Sequence, residues 1–230
     1  MKAMILAAGR GKRLRPLTDE CPKPLIKVSG KPLLDYHIEN LSQAGVEEII
    51  INISHLGQRI QDYIASKQKI WDLVIRFSYE PEALEVGGGI FKALPMLGTE
   101  PFIIVNGDVW TDYNYSVLPT EPGGLAHLVL VNNPPHNING DFGLRADGFV
   151  VPDPYLGKYT YSGISVLRPE LFAYSQAGAF AFAPLLESAM AQNALVGEFY
   201  GGVWSDVGTY ERLQTLENAL ALSKISRKIS

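Results

Sequence analysis

The 230-residue chain is 47% hydrophobic and 19% charged with a formal net charge of −4, which predicts a folded domain and excludes a disordered one. The acidic balance argues against long polyanionic ligands, so no nucleic-acid partner is expected. Cys21 is the only cysteine, and the first apolar run is too short for a signal peptide or a membrane span, so we expect a cytoplasmic protein with no internal disulfide and no membrane partner.

The first half of the chain alternates predicted strands and helices. The strands are short, buried apolar runs, and the helices carry apolar residues three and four positions apart. In chain order, strands are expected over residues 3–8, 46–53, 73–79 and 102–106. Helices are expected to begin near Pro32, near Leu56 and at Gly87-Gly88-Gly89. This alternation predicts an α/β fold with a Rossmann-like, mainly parallel sheet covered by helices on both faces.

The second half changes character and predicts a small additional sheet. Strands are expected over residues 126–131, 142–144, 149–151, 161–167 and 199–203, with turns between 132 and 158. Helices are expected to begin at Pro169 and Pro184, and a terminal helix has the apolar stripe Leu213, Leu216 and Leu220. The pattern predicts a single domain over residues 1–230.

Glycines and basic residues follow the first strand. Gly9 and Gly11 precede Arg13, and Lys23 follows ten residues after Arg13. Glycines let main-chain N–H groups approach phosphate oxygens, and cations neutralise the phosphate charge. Position 14 is leucine, so the dinucleotide-binding fingerprint is incomplete, and the ending of a P-loop is absent. Taken alone, the glycines are equally consistent with an ordinary tight turn.

Two aspartates are candidates for binding a divalent cation. Asp108 comes directly after a predicted buried strand and a glycine, and Asp206 precedes the terminal helix. Two separated carboxylates suit Mg²⁺, which keeps water and phosphate oxygens as its remaining ligands. The alternative is that Asp108 lies in a turn or caps a helix, and that Asp206 caps the last helix.

Several segments resemble the signature of the sugar-1-phosphate nucleotidyltransferase family. The two longest are Leu6-Ala7-Ala8-Gly9-x-Gly11-x-Arg13-Leu14-x-Pro16-Leu17-Thr18 and Pro22-Lys23-Pro24-Leu25. Asn106-Gly107-Asp108 and Trp204-x-Asp206-Val207-Gly208-Thr209 fit the same family. Within it, the chain is most similar to the short bacterial N-acetylmuramate α-1-phosphate uridylyltransferases of cell-wall recycling. The segments that carry this closer likeness are Leu84-Glu85-Val86-Gly87-Gly88-Gly89-Ile90, residues 105–113, residues 162–166 and Gly197-Glu198-x-Tyr200.

The resemblance implies the fold of the nucleotide-diphospho-sugar transferases and an Mg²⁺-dependent reaction. UMP would pass from UTP to N-acetylmuramic acid α-1-phosphate, giving UDP-N-acetylmuramic acid and pyrophosphate. The nucleotide would bind the half over about 1–110, and the sugar phosphate the half over about 111–230. The chain ends soon after the last helix without the left-handed β-helix of many relatives, so we expect no such domain and favour a monomer.

The resemblance also implies a set of site residues. The catalytic residues would be Arg13, Lys23 and Asp108. The nucleotide would contact Ala8, Gly9, Gly11, Arg13, Lys23, Glu80, Gly88 and Asn106. The sugar would contact Gly143, Ser162, Gly163 and Glu198. The metal would be held by Asp108 and Asp206.

The chain departs from larger relatives in one segment, and other functions remain open. Residues 150–154 read Val-Val-Pro-Asp-Pro where those relatives carry a Glu-Lys-Pro that contacts the sugar and its phosphate. One alternative is transfer to mannose or glucose 1-phosphate from GTP, UTP or dTTP, or to phosphocholine from CTP. Another is a non-catalytic nucleotide-binding subunit.

Overall fold

The computed structural model describes residues 1–67, 70–71, 73–152 and 157–229. Asp153 and Pro154, which belong to the segment that departs from Glu-Lys-Pro, lie outside the described residues. The described chain forms a mixed, mainly parallel sheet with helices on both faces, so the predicted α/β fold class is confirmed.

The elements follow the alternating order predicted for the first half. The strands are β1 (Lys2–Leu6), β2 (Lys27–Val28), β3 (Lys31–Pro32), β4 (Glu48–Ile53), β5 (Val74–Tyr79), β6 (Phe102–Asn106), β7 (Val109–Thr111), β8 (Ala126–Val131), β9 (Phe142–Leu144), β10 (Val150–Val151), β11 (Lys158–Leu167), β12 (Leu195–Tyr200) and β13 (Trp204–Asp206). The α-helices are α1 (Leu17–Glu20), α2 (Leu33–Gln43), α3 (Gly57–Lys67), α4 (Glu85–Leu97), α5 (Ala183–Ala191) and α6 (Tyr210–Ile229). Short 3-10 turns cover Lys12–Leu14, Lys23–Leu25, Tyr115–Val117 and Pro169–Phe172.

Parallel strands form the centre of the sheet in the order β5-β4-β1-β6. β1 lies between β4 and β6, so that Met4 is paired with Ile50 on one side and Ile104 on the other. The chain runs from β1 outward through β4 and β5 and then returns to the opposite side of β1 as β6. The strand order therefore reverses between β1 and β6, and ligands of such sheets bind beyond the carboxyl ends of the strands at this point.

β1, β4 and β6 are mostly buried on both faces, which explains why they are largely apolar, whereas β5 at the end of the strand order has several exposed residues. Successive side chains of a strand point to opposite faces of the sheet. Ile5 belongs to a core shared with Ile38 of α2 and Ile60 of α3. Met4 belongs to the opposite core, which it shares with Ile90 of α4.

The second half extends the sheet through one bent strand. β11 runs antiparallel to β6 and continues the sheet to β8 and β12. The register of β11 against β8 shifts between Tyr161 and Ser165. Before the shift β11 pairs with β9, which carries β10 at its outer edge, and after the shift it pairs with β6. The bend therefore joins the small ribbon of the second half to the parallel strands of the first.

The apolar stripe of α6 holds the basic loop that follows β1. A third core joins Leu213 and Leu216 of α6 to Leu14 and Ile26 of that loop, and Val207 lies in the same cluster. All of these side chains are buried. Because the loop and the helix lie at opposite ends of the sequence, this packing brings the two ends of the chain to one side of the domain.

Some local expectations were wrong. The segment at Pro169 forms a 3-10 turn, because only Leu171 and Phe172 of this segment reach buried positions. The strand expected over residues 199–203 is Leu195–Tyr200. The antiparallel ribbon of β7 and β13 was not predicted, since three-residue strands are too short to show a period. Within the described residues, no helix is both long and apolar enough to cross a membrane.

Candidate active site

An open cleft of about 720 Å³ lies where β1, β4, β5 and β6 end. The polar and glycine residues that line it include Gly9, Arg10, Gly11, Lys12, Arg13, Lys23, Asn52, Glu80, Glu82, Glu85, Asn106, Asp108 and Gly208, and Ala8 lies among them. The site residues inferred from the sequence that meet here are Ala8, Gly9, Gly11, Arg13, Lys23, Glu80, Asn106 and Asp108. The strand ends therefore bring together residues that are up to 100 positions apart in the chain.

Gly11 shapes the loop that forms one wall of the cleft. Its backbone is left-handed with φ of 62°, and its carbonyl oxygen accepts hydrogen bonds from Leu14 N at 2.9 Å and from Thr18 Oγ1 at 2.8 Å. A methyl group at position 11 would lie 2.8 Å from the Thr18 Cγ2 atom. Only glycine fits both the conformation and this close approach.

Three cations on this loop have no ion-pair partner among the described residues. Arg10, Lys12 and Arg13 are exposed, and none of them makes an ion pair within the described residues. The nearby Arg15 is different, because its Nε lies 2.9 Å from Asp19 Oδ1. Like charges gathered at the mouth of a cleft raise the local concentration of an oppositely charged ligand. The loop is therefore an electropositive wall suited to phosphate groups.

Lys23 and Asp108 form an ion pair on the cleft floor. The Lys23 ammonium donates to Asp108 Oδ2, and their side chains are only 12% and 29% exposed. Asp108 reaches this place because Gly107 N donates to Leu6 O at 3.0 Å, across the end of β1. A methyl group at Gly107 would lie 2.7 Å from the same oxygen. Gly107 thus lets its backbone pass close to the end of β1, and this places the next residue, Asp108, on the cleft floor.

The ribbon of β7 and β13 brings Asp206 next to Asp108. Asp206 pairs with Val109 in the ladder, and Val207 N donates to Asp108 O at 2.7 Å. Asp206 does not itself line the cleft. Its Oδ2 accepts from Arg212, and its Oδ1 lies 3.3 Å from His136 Nε2.

Asp108 and Asp206 are the candidates for holding a divalent cation that keeps outside ligands. Asp206 Oδ1 is buried, and the described part of the chain offers it no hydrogen-bond donor of good geometry. A carboxylate oxygen in that condition favours a cation. No group of three or more His, Cys, Asp or Glu side chains suited to a metal occurs among the described residues. Mg²⁺ matches such a sparse oxygen set, because it is bound by one or two carboxylates together with phosphates and water.

Asn52, which the sequence reasoning missed, links three strand ends under the cleft. Its Oδ1 accepts from Ala7 N at 2.6 Å, and its Nδ2 donates to Glu80 Oε1 at 2.7 Å. Asn52 and Glu80 are both buried. The signal in the sequence is a lone asparagine inside the apolar run of β4. The network fixes the Glu80 carboxylate, which lines the cleft.

Gly88 lies in a packing contact of α4 and does not line the cleft. Its N–H donates to Phe180 O at 3.2 Å, and a methyl group there would collide with the carbonyl of Gly178. A methyl group at Gly87 would lie 2.5 Å from the Phe180 ring, and one at Gly89 would lie 2.6 Å from Glu80 Oε1. Each of the three glycines at the start of α4 therefore leaves room for a different neighbour: an aromatic ring, a backbone carbonyl and a carboxylate.

Glu198 and its partners form a polar group in the second half, away from the cleft lining. Tyr113 donates its hydroxyl to Glu198 Oε1, and His127 Nε2 lies 3.7 Å from the same oxygen. The neighbouring His127 ring and then the Tyr113 hydroxyl hold the pKa of Glu198 below its usual value, against the opposing effect of burial. Burial, reinforced by the carboxylate, raises the pKa of Tyr113. At neutral pH the pair is thus an ionised carboxylate and a neutral phenol.

Gly143, Ser162 and Gly163 also lie outside the cleft lining. Ser162 and Gly163 both lie inside β11 at its register shift, within the strand that was expected over residues 161–167. Gly163 has φ of 81°, and a methyl group there would lie 2.6 Å from Asn106 Nδ2, so this glycine makes room for a cleft residue. Ser162 O accepts from Trp204 Nε1 at 2.9 Å. Gly143 pairs with Val151 and Lys158 in the outer ribbon.

Comparisons with known proteins agree with this architecture. The model of the nucleotidyl transferase family matches residues 2–143. The N-acetylmuramate alpha-1-phosphate uridylyltransferase of Neisseria meningitidis serogroup B is 48% identical over 93% of this chain and 96% of its own length. The protein of the same name from Caulobacter vibrioides is 28% identical over 95% of this chain and 96% of its own length. A solved structure of UDP-glucose pyrophosphorylase with UDP-glucose superposes with a TM-score of 0.80 at 18% identity, covering 96% of this chain and 98% of that one, and this likeness concerns the fold.

Proposed function

Because the chain belongs to the nucleotidyl transferase family, we propose that it transfers UMP from UTP to N-acetylmuramic acid α-1-phosphate. The 48% identity to the Neisseria uridylyltransferase, over nearly the whole of both chains, supports this choice of substrates. An oxygen of the sugar phosphate bonds to the α-phosphorus of UTP while the bond to the β-phosphate oxygen breaks. The products are UDP-N-acetylmuramic acid and pyrophosphate.

The observation that carries the proposal is the set of cations on the loop after β1 that have no ion-pair partner in the described chain. Two phosphorylated substrates must meet, and their mutual repulsion is the main obstacle to the reaction. Arg13 lies on the cleft wall without an ion-pair partner in the described chain, and Lys23 lies on the floor beside Asp108. In the proposed reaction Arg13 neutralises the triphosphate and the departing pyrophosphate, and Lys23 lies near the reacting phosphates. Preorganised cations of this kind stabilise the charge that spreads in a phosphoryl-transfer transition state.

Asp108 and Asp206 would hold Mg²⁺. A bound Mg²⁺ supplies neutralisation of phosphate charge and a fixed orientation of the phosphate groups. Two observations support this assignment: the ladder places Asp206 opposite Val109, the residue after Asp108, and the buried Asp206 Oδ1 receives no hydrogen bond of good geometry from the described residues. Members of this family generally use a divalent metal, and the choice of Mg²⁺ rests on the sparse set of oxygen donors.

The remaining roles divide between the halves of the domain. In the half over about 1–110, the nucleotide would contact Ala8, Gly9, Gly11, Glu80 and Asn106, which line the cleft, whereas Gly88 packs against the Gly178 carbonyl outside the lining. In the half over about 111–230, the sugar would contact Gly143, Ser162, Gly163 and Glu198. The buried link from Asn52 to Glu80 would keep the wall that faces the base rigid.

Pyrophosphate release over a grid of substrates tests the proposal. UTP, GTP, dTTP and CTP are each paired with N-acetylmuramic acid, glucose or mannose 1-phosphate, or with phosphocholine. We expect kcat/KM for UTP with N-acetylmuramic acid 1-phosphate to exceed every other pair by at least about tenfold, as a site built for particular polar groups discriminates strongly. A better rate with another pair would contradict the substrates proposed. No release with any pair by the folded protein would favour a nucleotide-binding subunit.

A further inference from the structure

Arg212 forms an ion pair with Asp206, one of the two proposed metal ligands. It lies in the first turn of α6, and its Nη1 donates to Asp206 Oδ2. The two side chains are only 18% and 22% exposed. In the protein alone, Asp206 therefore accepts from this guanidinium at Oδ2, and the His136 Nε2 atom lies 3.3 Å from its Oδ1.

The Arg212 guanidinium also lies beside the cleft wall. Gly208 lines the cleft, and a methyl group there would lie 2.7 Å from Arg212 Nη1 and 3.3 Å from Arg13 Nη2. The two guanidinium groups thus flank the same glycine. Arg13 has no ion-pair partner in the described chain, whereas Arg212 is engaged by Asp206.

A divalent cation at Asp206 Oδ1 and the Arg212 guanidinium at Oδ2 would share the charge of one carboxylate. A cation at that carboxylate would weaken the hold on Arg212, because like charges repel at short range. A mostly buried guanidinium without an anionic partner is unfavourable, so it needs a new one. The nearest place for that partner is the cleft at Gly208, where a second guanidinium already lies. Two guanidinium groups side by side are stabilised by an anion that accepts from both.

We propose that Arg212 is a second phosphate-binding arginine, which Asp206 holds until a divalent cation takes its place. In the filled site, Arg212 and Arg13 together bind the pyrophosphate end of the nucleotide across Gly208. This inference rests on the proposed function of the cleft. It adds that Arg212 exchanges its partner, from the Asp206 carboxylate to pyrophosphate, when a divalent cation binds Asp206.

If this exchange occurs, removing Arg212 should change the affinities for metal and for pyrophosphate in opposite directions. In Arg212→Gln the competing cation is gone, so Mn²⁺ binding to the nucleotide-free protein is expected to tighten by about fivefold, the scale of one partly exposed ion pair. Inorganic pyrophosphate binding at saturating Mn²⁺ is expected to weaken by about tenfold or more, the scale of a hydrogen bond to a charged group. Mn²⁺ affinity is measured by electron paramagnetic resonance and pyrophosphate affinity by calorimetry.

Further variants separate this role from a structural one. Gly208→Ala places a methyl group against the flexible ends of both arginines, so it is expected to fold and to weaken pyrophosphate binding as well. Arg212→Lys keeps the charge and is expected to lie between wild type and Arg212→Gln in both affinities. Arg168→Gln, which removes an exposed arginine paired with Glu121, is the matched control and is expected to change neither affinity.

The proposal is overturned if Arg212→Gln weakens both ligands or leaves both within twofold of wild type. These measurements use no sugar phosphate, so they stand apart from the substrate grid. Opposite shifts in the two affinities without any UMP transfer would retain the role of Arg212 and reject the transferase function. Transfer of UMP with unchanged affinities would do the reverse.

Discussion

The basic loop after β1 and the Glu198 group are both charged, but their charges are balanced in different ways. Arg10, Lys12 and Arg13 are exposed and make no ion pair within the described residues. Glu198 is partly buried, accepts a hydrogen bond from Tyr113 and lies beside His127. Water solvates an exposed cation, whereas a carboxylate withdrawn from water needs partners within the protein. The loop is therefore free to meet an anion, and the Glu198 group is held in one geometry beforehand.

The metal-binding candidates lie between these two cases. Asp108 is paired with Lys23, and Asp206 is paired with Arg212. Both pairs join a carboxylate to a cation that could instead bind phosphate. The difference between the regions motivates a proposed division of labour, in which charges rearrange where the nucleotide is proposed to bind and stay fixed where the sugar is proposed to bind. The predictions below test that division, beginning with the largest effect.

Asp108→Asn is expected to have the largest effect. It removes a proposed metal ligand and leaves Lys23 without its partner, so kcat should fall by about 10³, the scale of several kcal/mol of lost charge stabilisation. The measurement is kcat at saturating UTP and sugar phosphate over a titration of Mg²⁺. Asp62→Asn, an exposed carboxylate on α3, is the control and should retain wild-type kcat. If kcat of Asp108→Asn depended on Mg²⁺ as in wild type, Asp108 would be a turn residue and not a metal ligand.

Arg13→Ala and Lys23→Ala are each expected to lower kcat by about 10²–10³, as loss of one preorganised electrostatic donor does. The unpaired state of Arg13 makes this the sharpest test of the free loop, since its removal breaks no ion pair in the described chain. Steady-state pyrophosphate release gives the rates, with Arg168→Ala as the matched control. Rates within twofold of wild type in both variants would show that the loop is an ordinary exposed surface.

The central fold could be predicted from the sequence because its strands are buried on both faces. β1, β4 and β6 are continuous apolar runs followed by glycine or polar residues, and each was expected within two residues of its observed start. The same order of elements predicts the strand ends as the ligand site, and the cleft lies there. Local patterns are sufficient for this level of organisation.

The rest depends on contacts between distant residues. The ribbon that joins Asp206 to Asp108 has strands of three residues, and Arg212 reaches Asp206 only once that ribbon has formed. Gly88 was expected to face the base, but its lack of a side chain also suits the packing of the Phe180 segment on α4. The sequence shows that a glycine is present, but only the structure shows which neighbouring group packs against it.

Asn52→Ala tests the rigid side of the cleft. The change removes both hydrogen bonds of the buried link and leaves Glu80 without this donor, so the free energy of unfolding should fall by about 1–3 kcal/mol. Urea denaturation measures the change. Asn218→Ala, at an exposed position of α6, is the control and should stay within about 0.5 kcal/mol of wild type. Equal stability of the two variants would mean that the link does not brace the wall.

Glu198→Gln is expected to have the smallest effect. It should change KM for the sugar phosphate and leave KM for UTP nearly unchanged. The residue keeps its shape and loses its charge, so any sugar hydroxyl that donates to it loses a charged acceptor, and KM for the sugar phosphate should rise by about tenfold. KM for UTP should stay within twofold, because Glu198 does not line the cleft. Tyr113→Phe leaves the carboxylate charged and removes only the hydroxyl that orients it, so the same KM should rise less. Steady-state kinetics with each substrate varied in turn measures both constants. A parallel rise in both KM values would contradict the division, since it would mean that Glu198 supports the whole domain and not the sugar side alone.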